Sequence, residues 1–323
     1  MSWLFRVICS LILLGVLSTP SAFAQTSAPS PQKLAVSTVT LTDGDFLQGR
    51  TQGAKASTIE GVLQLPGAGE GYPVVILLHG SGGDGLAYKD WADILGKAGI
   101  AGFRLDSYGG RGIEEIFSDQ GRLGEFYAVY DAFRAAEVLA EHPAIDANRI
   151  AVMGFSRGGI GALYSAMTRF QEQYGPSGVK LAAHIPFYPP CNFQLKGELE
   201  LTDAPIRAFH GEADEWNPLP RCRDYIDRLA AARHDAQLTS YPKALHAFDN
   251  ALSPAYTANA EAQTSRNCFR IEENGVLLNP DTKQPFAWTD DCVQNGPSQQ
   301  FQRDAAYAAR EAVVAFLVDV FRL

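Results

Sequence analysis

The feature that most constrains the fold is a series of short apolar runs separated by longer amphipathic stretches. Continuous apolar runs of this length are typical of strands that are covered on both faces, as in a parallel sheet. The runs lie at 74–78, 99–105, 150–154, 182–187 and 206–209. Amphipathic stretches at 87–98, 121–141, 158–173 and 219–233 are long enough for right-handed crossover helices. The alternation predicts a doubly wound α/β fold with a mostly parallel sheet.

The two ends of this series carry different patterns. Residues 34–42 alternate apolar and polar side chains, residues 58–65 form a second strand-like run, and together they predict an antiparallel opening hairpin. A final helix is predicted over 301–321, where apolar residues recur at helical spacing. The stretch 251–300 is rich in Asn, Gln, Thr and Pro, and we interpret it as an insertion before that helix. Because no linker is visible, we predict a single domain over 25–323.

The amino terminus has the pattern of a signal peptide. Arg6 supplies a positive charge, residues 7–17 are apolar, and Ala22-Phe23-Ala24 has small residues at the two positions that a signal peptidase reads. A membrane-spanning helix would need about 20 apolar residues, whereas this run ends at Ser18-Thr19-Pro20. We therefore predict that residues 1–24 are removed, and that the protein is exported to the periplasm or secreted without a stable membrane anchor.

The cysteine count agrees with export. Removing the predicted signal peptide removes Cys9 and leaves Cys191, Cys222, Cys268 and Cys292, an even number that an oxidising compartment would pair. Cys268 and Cys292 lie in one polar stretch and are expected to pair, which leaves Cys191 for Cys222. The alternative is four unpaired buried thiols. A zinc site is not indicated, because no CxxC occurs and the histidines are scattered.

The charge of the chain restricts its partners. The sequence has 27 Lys and Arg against 36 Asp and Glu, which gives a net charge of -9. Loss of Arg6 with the signal peptide would make this 26 - 36 = -10. A field of this sign repels polyanions and argues against nucleic acid as a partner.

The motif Gly154-Phe155-Ser156-Arg157-Gly158-Gly159 lies between a predicted strand and a helix of small residues. This is the context of a nucleophile elbow, in which the serine has a strained backbone and the glycines let strand and helix approach closely. The alternative is the glycine turn of a nucleotide-binding fold. That alternative is disfavoured because no GxGxxG follows the first strand.

A serine nucleophile needs a general base that is oriented by a carboxylate, and in this architecture the acid follows the serine in the chain. The sequence His210-Gly211-Glu212-Ala213-Asp214-Glu215-Trp216 follows the run 206–209. We select Asp214 over Glu212 and Glu215 for its position in the turn. The alternatives for Asp214 are a solvated loop acid or the N-cap of the next helix.

The predicted base is His246. It lies in the loop after a short strand at 238–241, where it can reach the serine. The alternative is an ordinary core or surface histidine. Other histidines fit the role less well, since His142 ends a helix, His184 lies in a strand and His234 lies in a polar turn.

The tetrahedral intermediate of acyl transfer needs backbone amides as oxyanion donors. The segment His79-Gly80-Ser81-Gly82-Gly83 directly follows an apolar strand, and either Gly80 or Ser81 is expected to supply one amide. The second amide is expected from Arg157, the residue after the nucleophile. The alternative is an ordinary glycine turn at 79–83.

Five motifs in this order and spacing resemble the dienelactone hydrolase family of α/β-hydrolases. They are HGSGG, DSYGGRG at 106–112, GFSRGG, HGEADEWNP and YPKALHAFD. The resemblance covers roughly residues 34–250 and the closing helix. It implies an α/β-hydrolase fold and an ester hydrolase with Ser156, Asp214 and His246 as its triad. Dienelactone hydrolase proper uses a cysteine nucleophile, whereas position 156 is serine.

Three further residues are candidates for substrate binding. Tyr108 and Arg111 follow a strand at the predicted catalytic edge, and Trp216 lies two residues after Asp214. Arg111 could bind a substrate carboxylate, although a salt bridge to a neighbouring loop is favoured. Trp216 is favoured as a packing residue.

These observations predict an enzyme that cleaves small-molecule carboxylic esters through an acyl-enzyme, with neither a cofactor nor a metal. One alternative is a peptidase or amidase of the prolyl oligopeptidase type, disfavoured because no propeller or second large domain precedes this one. The other is an exported binding protein that keeps the fold without activity. The sequence indicates no oligomeric state.

Overall fold

The computed structural model describes residues 29–253 and 255–323, so the predicted signal peptide lies outside the described residues. The strands, in chain order, are β1 (Gln32–Thr40), β2 (Lys55–Gln64), β3 (Tyr72–Leu78), β4 (Ala101–Asp106), β5 (Ile145–Phe155), β6 (Ala183–Phe187), β7 (Phe193–Gln194), β8 (Ile206–Gly211), β9 (Ala236–Tyr241), β10 (Thr257–Ala258), β11 (Gln263–Thr264), β12 (Arg270–Glu273), β13 (Val276–Leu278), β14 (Gln294–Asn295) and β15 (Ser298–Gln299). The α-helices are α1 (Asp43–Leu47), α2 (Leu86–Lys97), α3 (Tyr127–Ala140), α4 (Arg157–Tyr164), α5 (Thr168–Tyr174), α6 (Leu219–Ala231) and α7 (Arg303–Phe321). Among these helices, none is long and apolar enough to cross a bilayer.

The main sheet has eight strands in the order β1-β2-β4-β3-β5-β6-β8-β9. The hairpin of β1 and β2 is antiparallel, and β2 also pairs antiparallel with β4. All further pairs across the sheet are parallel. The structure therefore confirms the doubly wound α/β-hydrolase fold and the opening hairpin that the sequence predicted.

The continuous apolar runs are explained by burial on both faces of the sheet. In β3, Val74, Ile76 and Leu78 pack into the core that contains α3, α4 and α6, whereas Val75 and Leu77 pack against α2 and α7 on the other face. All five side chains are buried. Because both faces are covered, the strand has no polar alternation.

Two predicted helices differ from those observed. The stretch 158–173 is two helices, α4 and α5, because Met167 leaves the helical path to form a β-bridge with Leu201. The helix predicted from residue 121 begins at Tyr127. The chain before it is extended at Leu123, whose carbonyl accepts a hydrogen bond from Arg157 instead of from a helical amide.

The segment 251–300 contains short two- and three-residue strands, with β12 extending to four residues. β10 pairs with β15, β11 with β14, and β12 with both β13 and β7. A disulfide between Cys268 and Cys292 closes the segment on itself. A second disulfide joins Cys191, after β6, to Cys222 in α6. Both pairings are those expected from the sequence.

Candidate active site

Ser156 lies in the tight turn between β5 and α4. Its backbone is in a sparsely populated region, with φ 53° and ψ -115°, and its amide donates to the carbonyl of Phe187 over 2.9 Å. Gly158 is required here, because a Cβ on it would lie 2.3 Å from the carbonyl oxygen of Leu78. The turn therefore holds the serine at the carboxyl end of the sheet, at the switch point where ligands bind in open α/β sheets.

A continuous chain of hydrogen bonds joins Ser156, His246 and Asp214. The Nε2 atom of His246 is 2.9 Å from the Oγ of Ser156, and its Nδ1 atom is 2.8 Å from Oδ2 of Asp214. The other carboxylate oxygen, Oδ1 of Asp214, accepts 2.8 Å hydrogen bonds from the amides of Trp216 and Asn217. The side chains of Ser156, His246 and Asp214 are all buried. Asp214 is thus fixed on one oxygen and free to orient the imidazole with the other.

Aromatic rings hold the imidazole of His246 from two sides. The ring centroid of Tyr188 lies 4.6 Å away at an edge-on angle, and that of Trp216 lies 4.9 Å away. A second histidine, His210, lies 3.6 Å from Oδ2 of Asp214. Burial lowers the pKa of His210, so it remains a neutral neighbour that donates from Nε2 to the carbonyl of Asn217 over 2.7 Å.

The two amides that the sequence left open, those of Gly80 and Ser81, differ in their partners. The amide of Gly80 donates to the hydroxyl of Tyr88 over 3.0 Å. Within the described residues, the amides of Ser81 and Arg157 have no hydrogen-bond acceptor. The α-carbon of Gly80 lies against Ser156, since a Cβ there would be 3.3 Å from the serine Cβ.

His79 fixes the peptide group between Gly80 and Ser81. Its Nδ1 lies 2.8 Å from the carbonyl oxygen of Gly80, and its Nε2 accepts from the amide of Ser107 over 3.1 Å. Burial lowers the pKa of His79, which favours this neutral tautomer with Nδ1 as donor. Because a trans peptide points its N–H away from its carbonyl, the Ser81 amide points away from His79. Sequence reasoning missed this role, although His79 opens the motif HGSGG.

The side chain of Arg157 belongs to a buried ionic cluster. Its guanidinium lies 2.8 Å from Glu125, and Glu125 is 2.6 Å from Arg270 of β12. Burial lowers the pKa of Arg270, and burial beside Glu125 raises that of Asp43 to about 7. Since Glu125 and Arg270 are fully buried, the cluster ties the 251–300 segment to the residue after Ser156. Only long-range packing brings these groups together, so no local sequence signal marks the cluster.

A cavity of about 310 Å³ opens beside Ser156 and His246. Its walls include the aromatic side chains of Tyr88, Phe117, Phe155, Tyr188 and Trp216. A second cavity, which Ser156 also lines, has a volume of about 10 Å³ and room for about one water molecule. Within the described residues, no group of three or more potential ligands could hold a metal ion.

The three candidate substrate-binding residues have different surroundings. Trp216 lines both cavities. Arg111 forms a two-pronged ion pair with Asp131, at 2.7 and 2.8 Å, and neither side chain is exposed. Tyr108 is buried and shares a 2.9 Å hydrogen bond with the hydroxyl of Tyr127. Arg111 and Tyr108 therefore do not line the cavity. Arg111 forms the ion pair that was favoured from the sequence, although its partner lies in helix α3 and not in a loop.

A buried carboxylate that the sequence did not point to lies in the cavity wall. Asp249 accepts a 2.7 Å hydrogen bond from the hydroxyl of Tyr188 and a 2.8 Å hydrogen bond from the indole of Trp91. Burial raises the pKa of Asp249. It follows His246 by three residues, within the motif YPKALHAFD, and its two donors come from distant elements.

Comparisons with known proteins agree with this geometry. The model of the Dienelactone hydrolase family matches residues 59–271. A Bradyrhizobium protein named as a 2-oxo-3-(5-oxofuran-2-ylidene)propanoate lactonase is 25% identical over 210 residues, which cover 60% of this chain and 80% of that protein. A Yersinia pestis protein named as a carboxymethylenebutenolidase is 26% identical over 223 residues, or 65% and 81% of the two chains.

A solved structure from Klebsiella pneumoniae subsp. pneumoniae, described as a dienelactone hydrolase, is similar with a TM-score of 0.53. The sequence identity is 17%, and the match covers 89% of this chain and 99% of the other. At this level of sequence identity, the similarity is evidence of a shared fold alone.

Proposed function

The chain belongs to the dienelactone hydrolase family and is a carboxylic ester hydrolase; on this premise we propose that Ser156, His246 and Asp214 cleave the ester through an acyl-enzyme intermediate. The observation that carries the proposal is the hydrogen-bond chain from Asp214 through His246 to Ser156, at 2.8 and 2.9 Å, beside a cavity. Nε2 of His246 accepts the hydroxyl proton as Oγ of Ser156 attacks the ester carbonyl. Asp214 holds the imidazole in the required tautomer and stabilises the imidazolium.

The second half of the reaction uses the same groups. The imidazolium of His246 donates its proton to the departing alcohol, which leaves an acyl group on Oγ of Ser156. His246 then accepts a proton from water as the water attacks the acyl carbonyl, and the acid is released. Ester and water are the only reactants that this sequence consumes.

For the oxyanion we propose the amides of Ser81 and Arg157 as donors. The amide of Gly80 already donates to Tyr88, which favours Ser81 between the two candidates from the sequence. The hydrogen bond from His79 to the carbonyl of Gly80 holds the Ser81 amide in place before the reaction begins. Preorganised donors of this kind are worth about 10²–10³ in kcat each.

We also propose that the protein is exported after removal of residues 1–24 and folds as one domain, with 251–300 as an insertion. The disulfides Cys191–Cys222 and Cys268–Cys292 are consistent with an oxidising compartment. Periplasm and culture medium remain equal alternatives for its destination.

The test is hydrolysis of p-nitrophenyl esters, from acetate to long acyl chains, by wild-type protein and by Ser156→Ala. Loss of the nucleophile should lower kcat by a thousandfold or more. The matched control is Ser165→Ala, which removes another buried hydroxyl, bonded to the carbonyl of Ala162, at the end of α4. Equal activity in wild type and Ser156→Ala would contradict the proposal.

Two additional measurements separate the alternatives. A peptide p-nitroanilide cleaved faster than the matched ester would favour an amidase or peptidase. A folded wild-type protein that neither turns over any ester nor reacts with a fluorophosphonate at Ser156 would indicate a binding protein.

A further inference from the structure

We infer that the cavity beside Ser156 takes an uncharged ester with an apolar or aromatic group, and that it discriminates against esters that carry a carboxylate. The inference rests on the proposed function, because it concerns the substrate of the same site. Charge, hydrogen bonding and the shape of the cavity walls carry it.

In the part of the chain that the structure describes, the cavity wall has no permanent positive charge to receive a carboxylate. Among the described residues that line the cavity there is neither a lysine nor an arginine. Apart from His246, its ionisable side chains are the carboxylic acids Asp84 and Asp249 and the phenols of Tyr88 and Tyr188. A substrate carboxylate in this cavity would lose water without gaining an ion pair, which is costly. It would also lie near groups of its own sign.

Both carboxylates in the wall already have partners within the protein, so neither requires a cationic substrate. Asp84 is 2.8 Å from Arg104, and both side chains are at most one-fifth exposed. Asp249 accepts one hydrogen bond on each oxygen, from Tyr188 and Trp91. An uncharged group is therefore the better match for this wall.

The arginine nearest the serine is also neutralised. Arg157 pairs with Glu125 at 2.8 Å and donates to the carbonyl of Leu123 at 2.9 Å. It lines the small second cavity, where about 10 Å³ leaves no room for a carboxylate-bearing acyl group. The net charge of -9 over the chain further disfavours the approach of an anion.

Part of the wall can receive a flat apolar group. Five aromatic side chains form the apolar part of the wall, beside the uncharged polar side chains of Asn250, Asn259 and Gln299. The cavity volume of about 310 Å³ is at the lower end of the range for small-molecule sites. Aromatic rings of a substrate can pack edge-to-face or offset against such walls. The expected substrate is thus a compact ester of an uncharged aromatic or short aliphatic group.

The test compares esters that carry no charge, a negative charge or a positive charge, with the charge placed on either side of the scissile bond. On the alcohol side the series is phenyl acetate, 3-acetoxybenzoate and 3-acetoxy-N,N,N-trimethylanilinium. On the acyl side it is p-nitrophenyl hexanoate and mono-p-nitrophenyl adipate, whose carboxylate is too far along the chain for rapid anhydride formation. Each kcat/KM is divided by the rate of alkaline hydrolysis of the same ester, so that differences in intrinsic reactivity cancel. We expect the neutral ester to exceed the carboxylate by at least about tenfold and to equal or exceed the cation.

A pair of variants tests whether the missing positive charge is the cause. Leu86 lines the cavity at its rim and is 65% exposed, so Leu86→Lys adds a cation and Leu86→Met adds a neutral chain of similar length. The ratio of carboxylate to neutral ester should rise about threefold or more in Leu86→Lys relative to Leu86→Met. Equal ratios in the two variants would overturn the assigned cause.

The outcomes distinguish this inference from the function on which it rests. A neutral-to-carboxylate ratio below about ten, or a cationic ester preferred over the neutral one, overturns the inference while Ser156-dependent hydrolysis persists. Absence of Ser156-dependent hydrolysis for every ester overturns the proposed function itself, and the charge preference with it.

Discussion

The eight-stranded sheet and the 251–300 segment meet at the candidate site, but they are held by different interactions. The sheet strands are paired with neighbours and covered by apolar side chains on both faces. In the segment, most strands are only two or three residues long, and a disulfide and the buried Arg270 supplement them. Burial of apolar side chains stabilises the sheet, whereas a disulfide and buried ion pairs stabilise much of the 251–300 segment. Comparing them shows which part of the site depends on which kind of interaction.

The segment contacts the site at several points. Its residue Gln299 forms a β-bridge with His246, and the hydroxyl of Thr264 donates to the carbonyl of Trp216 over 2.5 Å. Arg270 reaches Glu125, which pairs with Arg157. The proposed catalytic side chains therefore come from loops of the sheet, while the segment contacts the backbone beside them.

The largest effect is expected where the ionic cluster joins the two regions, in Glu125→Gln. Replacing Glu125 leaves two buried arginines without their shared carboxylate. Breaking a buried pair in this way costs about 3–5 kcal/mol of unfolding free energy. The measurement is urea denaturation, together with kcat for a p-nitrophenyl ester, which should also fall because the Arg157 amide loses its support.

Two controls sharpen this result. Glu137→Gln removes the acid of a surface ion pair with Arg134. Because Glu137 is exposed, we expect the free energy of unfolding to change by less than about 1 kcal/mol. In Glu125→Gln, Asp43 can ionise more readily, since Glu125 helps to raise its pKa. The double variant Asp43→Asn/Glu125→Gln should therefore be less stable than Glu125→Gln alone. A stability loss no larger in Glu125→Gln than in Glu137→Gln would contradict the assigned role of the cluster.

The two disulfides provide the next comparison, because they close loops of similar length in different regions. The sequence separations are 31 for Cys191–Cys222 and 24 for Cys268–Cys292. The chain-entropy model assigns about 3.5 kcal/mol to each. Since Cys191 and Cys222 both lie in the core of the sheet, Cys191→Ser/Cys222→Ser should lower the global unfolding free energy by about 3 kcal/mol.

Loss of the disulfide in the 251–300 segment should instead have a local effect. Cys268→Ser/Cys292→Ser should reduce global stability by less, while it speeds proteolysis within 251–300 and lowers ester hydrolysis. The measurements are chemical denaturation and limited proteolysis with mapped cleavage sites. Equal losses of global stability in the two double variants, without faster cleavage of the segment, would show that the segment unfolds with the sheet.

The two regions also differ in how much of their structure the sequence could predict. Strand periodicity and chain order were sufficient for the sheet, and the turn after β5 led directly to Ser156. Asp214 and His246 were selected by the same reasoning, since each follows a strand end in the required order, and the structure brings both into hydrogen-bond contact with each other and with Ser156. The break between α4 and α5 was missed, because it depends on a bridge from Met167 to Leu201, 34 residues away along the chain.

The sequence could not predict side-chain partners that depend on tertiary packing. Gly80 and Ser81 could not be separated, because the difference is a hydrogen bond from Gly80 to a tyrosine in α2. Arg111 was considered for substrate binding, and its partner proved to be Asp131 in α3. For 251–300, composition indicated a different region but gave neither its strand pairs nor its buried Arg270.

The smallest expected effect is a pH dependence that belongs to the sheet, since 251–300 contains no histidine. Burial in β6 lowers the pKa of His184 from 6.5 to about 4. The unfolded chain then binds more protons than the folded one between these values, so stability falls as the pH falls through that window. Asp43 acts in the opposite direction, because its raised pKa makes the folded state the stronger proton binder. Between pH 7 and 4.5, wild type should lose about 2 kcal/mol more than His184→Leu in urea denaturation. Equal losses of stability would mean that His184 does not control acid stability. Hydrogen exchange should show that β6 loses protection at a higher pH than the 251–300 segment does.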